Sequence, residues 1–261
     1  MSEAVIVVDN VYKDFKLNRH KANTLKATFA GLLKKQAKHN DSQIQHALKG
    51  ISFEVKKGEF FGIVGRNGSG KSTLLKMLAG IYQPNKGKIR VHGKLVPFIE
   101  LGVGFNAELT GRENVFLNGA LLGFNQKQVA EMYNEIVEFA ELEKFMDQKL
   151  KNYSSGMQVR LAFSLAIRAK ADVLLVDEVL AVGDADFQRK CFSYFKLLKK
   201  LKKTVVFVTH DMNSMKEFCD RAMLIEDSKM KLIGNPQMVA RSYSLLFMNE
   251  QDSSISTVSA D

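Results

Sequence analysis

The segment that most restricts the fold of this chain is the glycine-rich run GRNGSGKST at residues 65–73. Its spacing follows G-x-x-x-x-G-K-[ST]. An apolar run, FFGIV at 60–64, comes directly before it, and a run with helical spacing follows it. A strand, a glycine turn and a helix in this order point backbone N–H groups at phosphate. The sequence therefore predicts an α/β protein that binds a nucleoside triphosphate.

Each residue type in this loop has an expected role. The glycines let backbone N–H groups approach the β-phosphate without a Cβ clash. Lys71 is expected to bridge the β- and γ-phosphates, and Ser72 is expected to ligate Mg²⁺. The predicted nucleotide-binding residues of the loop are Gly65, Asn67, Gly68, Ser69, Gly70, Lys71, Ser72 and Thr73.

A second apolar run, VLLVD at 173–177, ends in two acidic residues. Asp177 is expected to hold Mg²⁺, directly or through a water. Glu178 is expected to act on the attacking water as a general base or water-orienting group. Consecutive acidic residues after a strand can also cap the next helix. The phosphate loop in the same chain favours the roles in metal binding and hydrolysis.

Apolar runs that alternate with helical spacing predict the architecture. Alternating strands and helices are typical of a parallel sheet that is covered on both faces. The predicted strands are 4–8, 51–55, 60–64, 95–99, 173–177, 204–208 and 222–226, and the predicted helices are 72–80, 126–142, 155–169, 186–201 and 212–219.

Composition says less than these motifs about the size, partners and location of the protein. The 261 residues are 46% hydrophobic, which is enough for one large domain. A net charge of +10 suits nucleic acid, a phosphate-bearing substrate or an anionic membrane surface, and charge alone does not choose among them. No apolar stretch approaches the roughly 18 residues of a membrane span, which favours a protein that is soluble by itself. The two cysteines favour a reduced, cytosolic protein with both side chains in the core.

Three further motifs resemble those of the ABC ATPases. Residues 153–157 read YSSGM where the family signature is most often LSGGQ, Gly183-Asp184 matches the D-loop, and Thr209-His210-Asp211 matches the switch segment. The resemblance implies a homodimer that closes over two Mg-ATP. By it, Ser154, Gly156 and Asp184 face the nucleotide of the opposite subunit, and His210 is a catalytic residue that donates a hydrogen bond to the γ-phosphate.

The same resemblance assigns two further positions. Phe15 is expected to stack on the adenine, with Tyr12 as the alternative. Glu100 stands where most of the family has a glutamine, and it is assigned to Mg²⁺ or its water.

The family fold implies a mostly parallel core sheet, an antiparallel β subdomain and an α-helical subdomain. The nucleotide-binding domain is expected over 1–247, its helical subdomain with the signature over 100–170, and a disordered tail over 248–261. Residues 16–47 are predicted to be a basic helical insertion with a linker. Its lysines Lys26, Lys34 and Lys35 are hypothesised to approach anionic lipid headgroups or a lipid-linked pyrophosphate.

The segment 100–114 (ELGVGFNAELTGREN), with YSSGM and LAVGD, looks like the ABC subunits that export bacterial surface polysaccharides. The resemblance implies an ATPase that drives export of a lipid-linked glycan, O-antigen in the first place and teichoic acid or capsule as alternatives. It also implies a permease, in two copies of about six transmembrane helices each, that faces 100–114 and holds the ATPase at the cytoplasmic face of the bacterial inner membrane.

Two other classes of protein are alternatives. A soluble ABC ATPase that acts on nucleic acid or ribosomes usually has two cassettes or a long coiled coil, and this chain has one cassette and no heptad run. A phosphate-loop kinase does not account for Ser154, Asp184 and His210 together. No nucleic-acid partner is therefore expected.

Overall fold

The fold is that of a computed structural model, which describes residues 3–17, 43–98, 104–169, 171–177 and 184–246. Its strands are β1 (Ala4–Leu17), β2 (Gln43–Lys56), β3 (Phe60–Gly65), β4 (Lys86–Val91), β5 (Leu95–Phe98), β6 (Val173–Asp177), β7 (Thr204–Val208), β8 (Arg221–Glu226) and β9 (Lys229–Gly234). Its helices are α1 (Lys71–Leu78), α2 (Gly111–Leu121), α3 (Gln126–Ala140), α4 (Ser155–Ala166), α5 (Ala185–Lys200) and α6 (Met212–Phe218), and residues 236–246 are also helical.

The main sheet has the strand order β5-β6-β7-β3-β8-β9. All neighbouring strands are parallel except β8 and β9. Side chains alternate between its two faces. Phe60 and Phe207 pack with α4, α5 and α6 on one face, while Phe61 and Val206 pack with α1, β1 and β2 on the other. The prediction of a mostly parallel sheet that is covered on both faces is confirmed.

The second sheet is antiparallel, with the order β2-β1-β4. Its two long strands correct the predicted helical insertion at 16–47, because residues 16–17 continue β1 and residues 43–47 belong to β2. Register shifts interrupt the β1–β2 ladder, so the side chains lose the strict alternation that identifies a strand in a sequence. The rest of the insertion, including its three lysines, lies outside the described residues.

A third core joins the helices α2, α3 and α4 through Val115, Ile136 and Leu161. Helix α2 was not predicted, since its two glycines and two asparagines weaken the apolar pattern. Strands β4 and β9 were also missed, because both lie at sheet edges and expose alternate residues. The domain boundaries stay predictions, and the predicted tail 248–261 lies outside the described residues.

Both cysteines lie in the core, as the sequence predicts. Cys191 and Cys219 are buried, and burial raises the pKa of each thiol to about 12. They are therefore protonated and unreactive at neutral pH. Among the described residues, no helix has the length and apolarity that a membrane crossing requires.

Replacing Phe195 by alanine is expected to lower the free energy of unfolding by about 3–5 kcal/mol. Its ring is 0% exposed and contacts the rings of Phe60 and Phe207. Leu197→Ala on the same helix is the matched control, since this side chain is 48% exposed and its loss is expected to cost about 1 kcal/mol or less. Urea unfolding followed by circular dichroism measures both. Equal losses would contradict the orientation of α5.

Candidate functional site

The phosphate loop joins the buried central strand β3 to helix α1, and its glycines are required by close contacts. A Cβ on Gly65 would lie 2.3 Å from the carbonyl oxygen of Ile225, and one on Gly70 would lie 2.4 Å from that of Ala47. Gly70 also has a φ of +108°, in the region that favours glycine. The loop therefore keeps its backbone path only with glycine at these two positions.

The start of α1 has the properties of an anion site. Its N-cap, Gly70, has no side chain to bond the first N–H groups of the helix, which leaves the positive end of the helix dipole uncapped by a side chain. Lys71 is buried, and its Nζ donates to the carbonyl oxygens of Gly65 at 2.8 Å and Arg66 at 3.0 Å. The buried Ser69 Oγ has no hydrogen-bond partner among the described residues. Lys71 lines the cavity described next, whereas the predicted loop residues Gly65 and Ser69 do not.

A cavity of about 490 Å³ extends from this loop. It brings together three predicted parts of the site that are far apart in the sequence: the phosphate loop, Asp177 and Phe15. Two residues of β2 that were not predicted also line it. The residues that line the cavity are Phe15, Gln45, Ala47, Asn67, Gly68, Gly70, Lys71, Ser72, Thr73 and Asp177.

The carboxyl ends of three neighbouring strands meet at this edge of the sheet. Strand β6 ends at Asp177, which pairs with Val208 of β7. Directly after β7, the N–H of Thr209 donates to the carbonyl oxygen of Ile63 in β3 at 3.3 Å. His210 follows at the same edge; its side chain is exposed and does not line the cavity. Two further predicted site residues, Glu100 and Glu178, lie outside the described residues.

The two aromatic candidates for base stacking are separated by the fold. Phe15 lines the cavity and contacts Tyr82 edge to face at 5.4 Å between centroids. The Lys13 ammonium lies 5.2 Å from the Phe15 centroid. Tyr12 does not line the cavity, and its ring lies near Gly50 and Lys86. The geometry favours Phe15 over Tyr12.

Comparisons with known proteins agree with this geometry. Residues 48–181 match the ABC transporter family. The ABC transporter protein AbcA of Aeromonas salmonicida is 44% identical over 97% of this chain and 80% of its own length. The O-antigen export system ATP-binding protein RfbB of Klebsiella pneumoniae is 41% identical over 92% of this chain and 98% of its own length. The chain belongs to the ABC transporter family.

The fold of this ABC protein is also that of a solved cassette. The structure of the ATP-binding cassette MJ0796, a dimer in a post-hydrolysis state bound to ADP and Pi, superposes with a TM-score of 0.69. The match covers 88% of this chain and 98% of that one, with 24% sequence identity. The predicted resemblance to ABC ATPases and the predicted fold class are both confirmed.

The predicted signature and D-loop residues lie at the starts of two helices, outside the cavity of their own chain. Ser154 is the N-cap of α4, where its Oγ accepts from the N–H of Met157 at 3.2 Å, and Gly156 lies in the first turn. Asp184 is the N-cap of α5 and accepts from the N–H of Phe187 at 2.9 Å. None of the three predicted residues lines the cavity.

An arginine that was not predicted links these two helix starts. Arg160 of α4 forms an ion pair with Asp184 and a second with Glu141 at 3.0 Å, and its guanidinium lies 5.2 Å from the Phe187 centroid. The hydrogen bond from the Phe187 N–H, together with Arg160, lowers the pKa of Asp184 below its ordinary value. Arg160 therefore holds Asp184, the predicted D-loop residue, against α4.

The structure describes the predicted permease-facing segment 100–114 from residue 104 onwards. Residues 104–114 include a turn that side-chain hydrogen bonds hold. Asn114 is fully buried. Its Oδ1 accepts from the N–H of Asn106 at 2.7 Å, and its Nδ2 donates to the carbonyl oxygens of Asn106 and Thr110, both at 2.9 Å. Thr110 and Glu113 form a capping box at the start of α2. The turn therefore presents one fixed surface, which carries Glu108 paired with Lys149 and Lys151.

Arg160→Met is expected to raise the pKa of Asp184 towards its ordinary value, because the pairing cation is lost. The pKa should stay below that value, since the Phe187 N–H bond is kept. Carboxyl ¹³C NMR during a pH titration measures it. Arg189→Met is the matched control, because Arg189 pairs with Asp186. An unchanged pKa of Asp184 in Arg160→Met would contradict the assigned ion pair.

Proposed function

We propose that this ABC protein is the ATP-hydrolysing subunit of a transporter that exports a lipid-linked surface polysaccharide, O-antigen in the first place. The observation that carries the ATPase is the cavity that unites the phosphate loop, Asp177 and Phe15. The cargo is inferred from the similarity to RfbB, which extends over 98% of that export protein.

Hydrolysis is assigned to Lys71, Glu178 and His210. Lys71 offsets the negative charge that develops on the transferring phosphoryl group. Glu178 accepts a hydrogen bond or a proton from the attacking water. His210 donates a hydrogen bond to the γ-phosphate and so responds to its presence. This role is supported by the place of His210 in the fold, directly after Thr209 at the edge where β6 ends in Asp177.

The cavity also suits Mg²⁺, which prefers oxygen ligands and usually keeps waters and substrate phosphates around it. The Ser72 hydroxyl and the Asp177 carboxylate supply oxygen donors to the same cavity. They would hold the ion, and bound Mg²⁺ would neutralise charge on the phosphates. Glu100 is assigned to this ion or its water on sequence alone.

A second copy of the chain completes each site in this proposal. Ser154, Gly156 and Asp184 lie away from the cavity of their own chain, and the N-terminus of α4 carries a positive dipole end. In a head-to-tail homodimer they would face the nucleotide of the other copy. Closure of the dimer drives the permease, which contacts the segment 100–114 and holds the ATPase at the cytoplasmic face of the inner membrane.

Glu178→Gln is expected to lower ATP turnover by about 10²-fold or more, because an amide cannot take the proton of the attacking water. Binding should persist, so ATP is expected to trap a dimer. Phosphate release and size-exclusion chromatography with ATP measure the two effects. Glu143→Gln, an exposed glutamate in the loop before α4, is the matched control. Near-normal turnover in Glu178→Gln would contradict the assignment.

The export function is tested in cells that carry Lys71→Ala in place of the wild-type chain. The surface polysaccharide is expected to be lost while its lipid-linked precursor accumulates inside, because ATP binding no longer drives the permease. Lys127→Ala, on the exposed face of α3, should leave export unchanged. Normal surface polysaccharide in Lys71→Ala would contradict the proposed cargo without bearing on ATP binding in vitro.

A further inference from the structure

Gln45 occupies a position in the cavity that neither the motifs nor the proposed mechanism uses. It is the cross-strand partner of Phe15 in the β1–β2 ladder, and both residues line the cavity that contains the phosphate loop. Directly opposed residues of an antiparallel pair project from the same face with their Cβ atoms about 5 Å apart. A base that stacks on Phe15 would therefore have the Gln45 side chain beside it.

The direction of β2 places Gln45 at the base end of the cavity. The carbonyl oxygen of Ala47 lies against the phosphate loop, where a Cβ on Gly70 would approach it to 2.4 Å. Gln45 is two residues away along the strand, a distance of about 7 Å. Ala47 thus lies beside the phosphate loop, and its small side chain would leave room for a ribose between the phosphates and the base.

The chemistry of an amide matches one base edge in particular. Adenine presents the N6 amino donor next to a ring-nitrogen acceptor. A glutamine side chain has both an acceptor oxygen and a donor NH₂ group. We propose that the Gln45 amide binds the edge of the adenine that stacks on Phe15, and that it gives the site its preference for a base with the N6 amino group. This inference rests on the proposed ATP site.

The test compares ATP with purine riboside 5′-triphosphate, which lacks only the N6 amino group. The wild-type protein is expected to bind ATP about two- to tenfold more tightly, the range of one hydrogen bond. Gln45→Leu keeps the side-chain size but removes the amide, and should bring the affinity ratio to about one. Displacement of trinitrophenyl-ATP measures both affinities. Gln45→Ala provides a second variant with the same expected ratio.

The affinity ratio separates base recognition from a general structural defect, which would weaken both nucleotides equally. Ile44→Ala is the matched control, because Ile44 is the neighbouring residue of β2, is 50% exposed and does not line the cavity. It should keep the wild-type ratio. A wild-type ratio of one, or an unchanged ratio in both Gln45 variants, would overturn the inference and leave the ATP site intact. Absence of ATP binding to the wild-type protein would instead overturn the ATP site itself.

Discussion

The rest of the structure depends on the contacts that the phosphate loop makes with strands of both sheets. Gly65 lies against a carbonyl of β8 in the main sheet, and Gly70 lies against a carbonyl of β2 in the antiparallel sheet. The Lys71 ammonium donates hydrogen bonds to the carbonyl oxygens of Gly65 and Arg66 in the same loop. The loop is thus both the proposed phosphate site and the joint between the sheets. A side chain at Gly65 would push β3 away from β8 within the main sheet, and one at Gly70 would push the loop away from the antiparallel sheet.

The sequence predicted the parts of the fold that are buried on both faces. Strands β3, β6 and β7 lie in the middle of a parallel sheet, so their residues form continuous apolar runs. Each run ends where residues of the candidate site begin. The parts that were missed or shortened, such as β4, β9 and most of β2, are exposed on one side or shifted in register. Their backbones form the hydrogen bonds of a sheet, but their side chains do not alternate between apolar and polar in the way that predicts a strand.

The same distinction holds for the candidate site. Lys71 and Ser72 come shortly after β3, and Asp177 is the last residue of β6, so a local motif identifies all three. Gln45 reaches the cavity only through its pairing with Phe15 across two strands, and Arg160 acts only through an aspartate that begins another helix. Both depend on partners distant along the chain, which one sequence does not specify.

The ion pair of Arg160 also bears on how the proposed dimer would act on a permease. It ties Asp184 to α4, and α4 packs through Leu161 and Leu165 against the same core as α2 and α3. Helix α2 carries the buried Asn114 that holds the turn after Gly104. A continuous path of ion-paired and packed residues therefore joins Asp184 to the surface proposed to face the permease. Because close-packed cores have low compressibility and transmit strain, a shift of α4 towards a second copy's nucleotide would be expected to displace that surface.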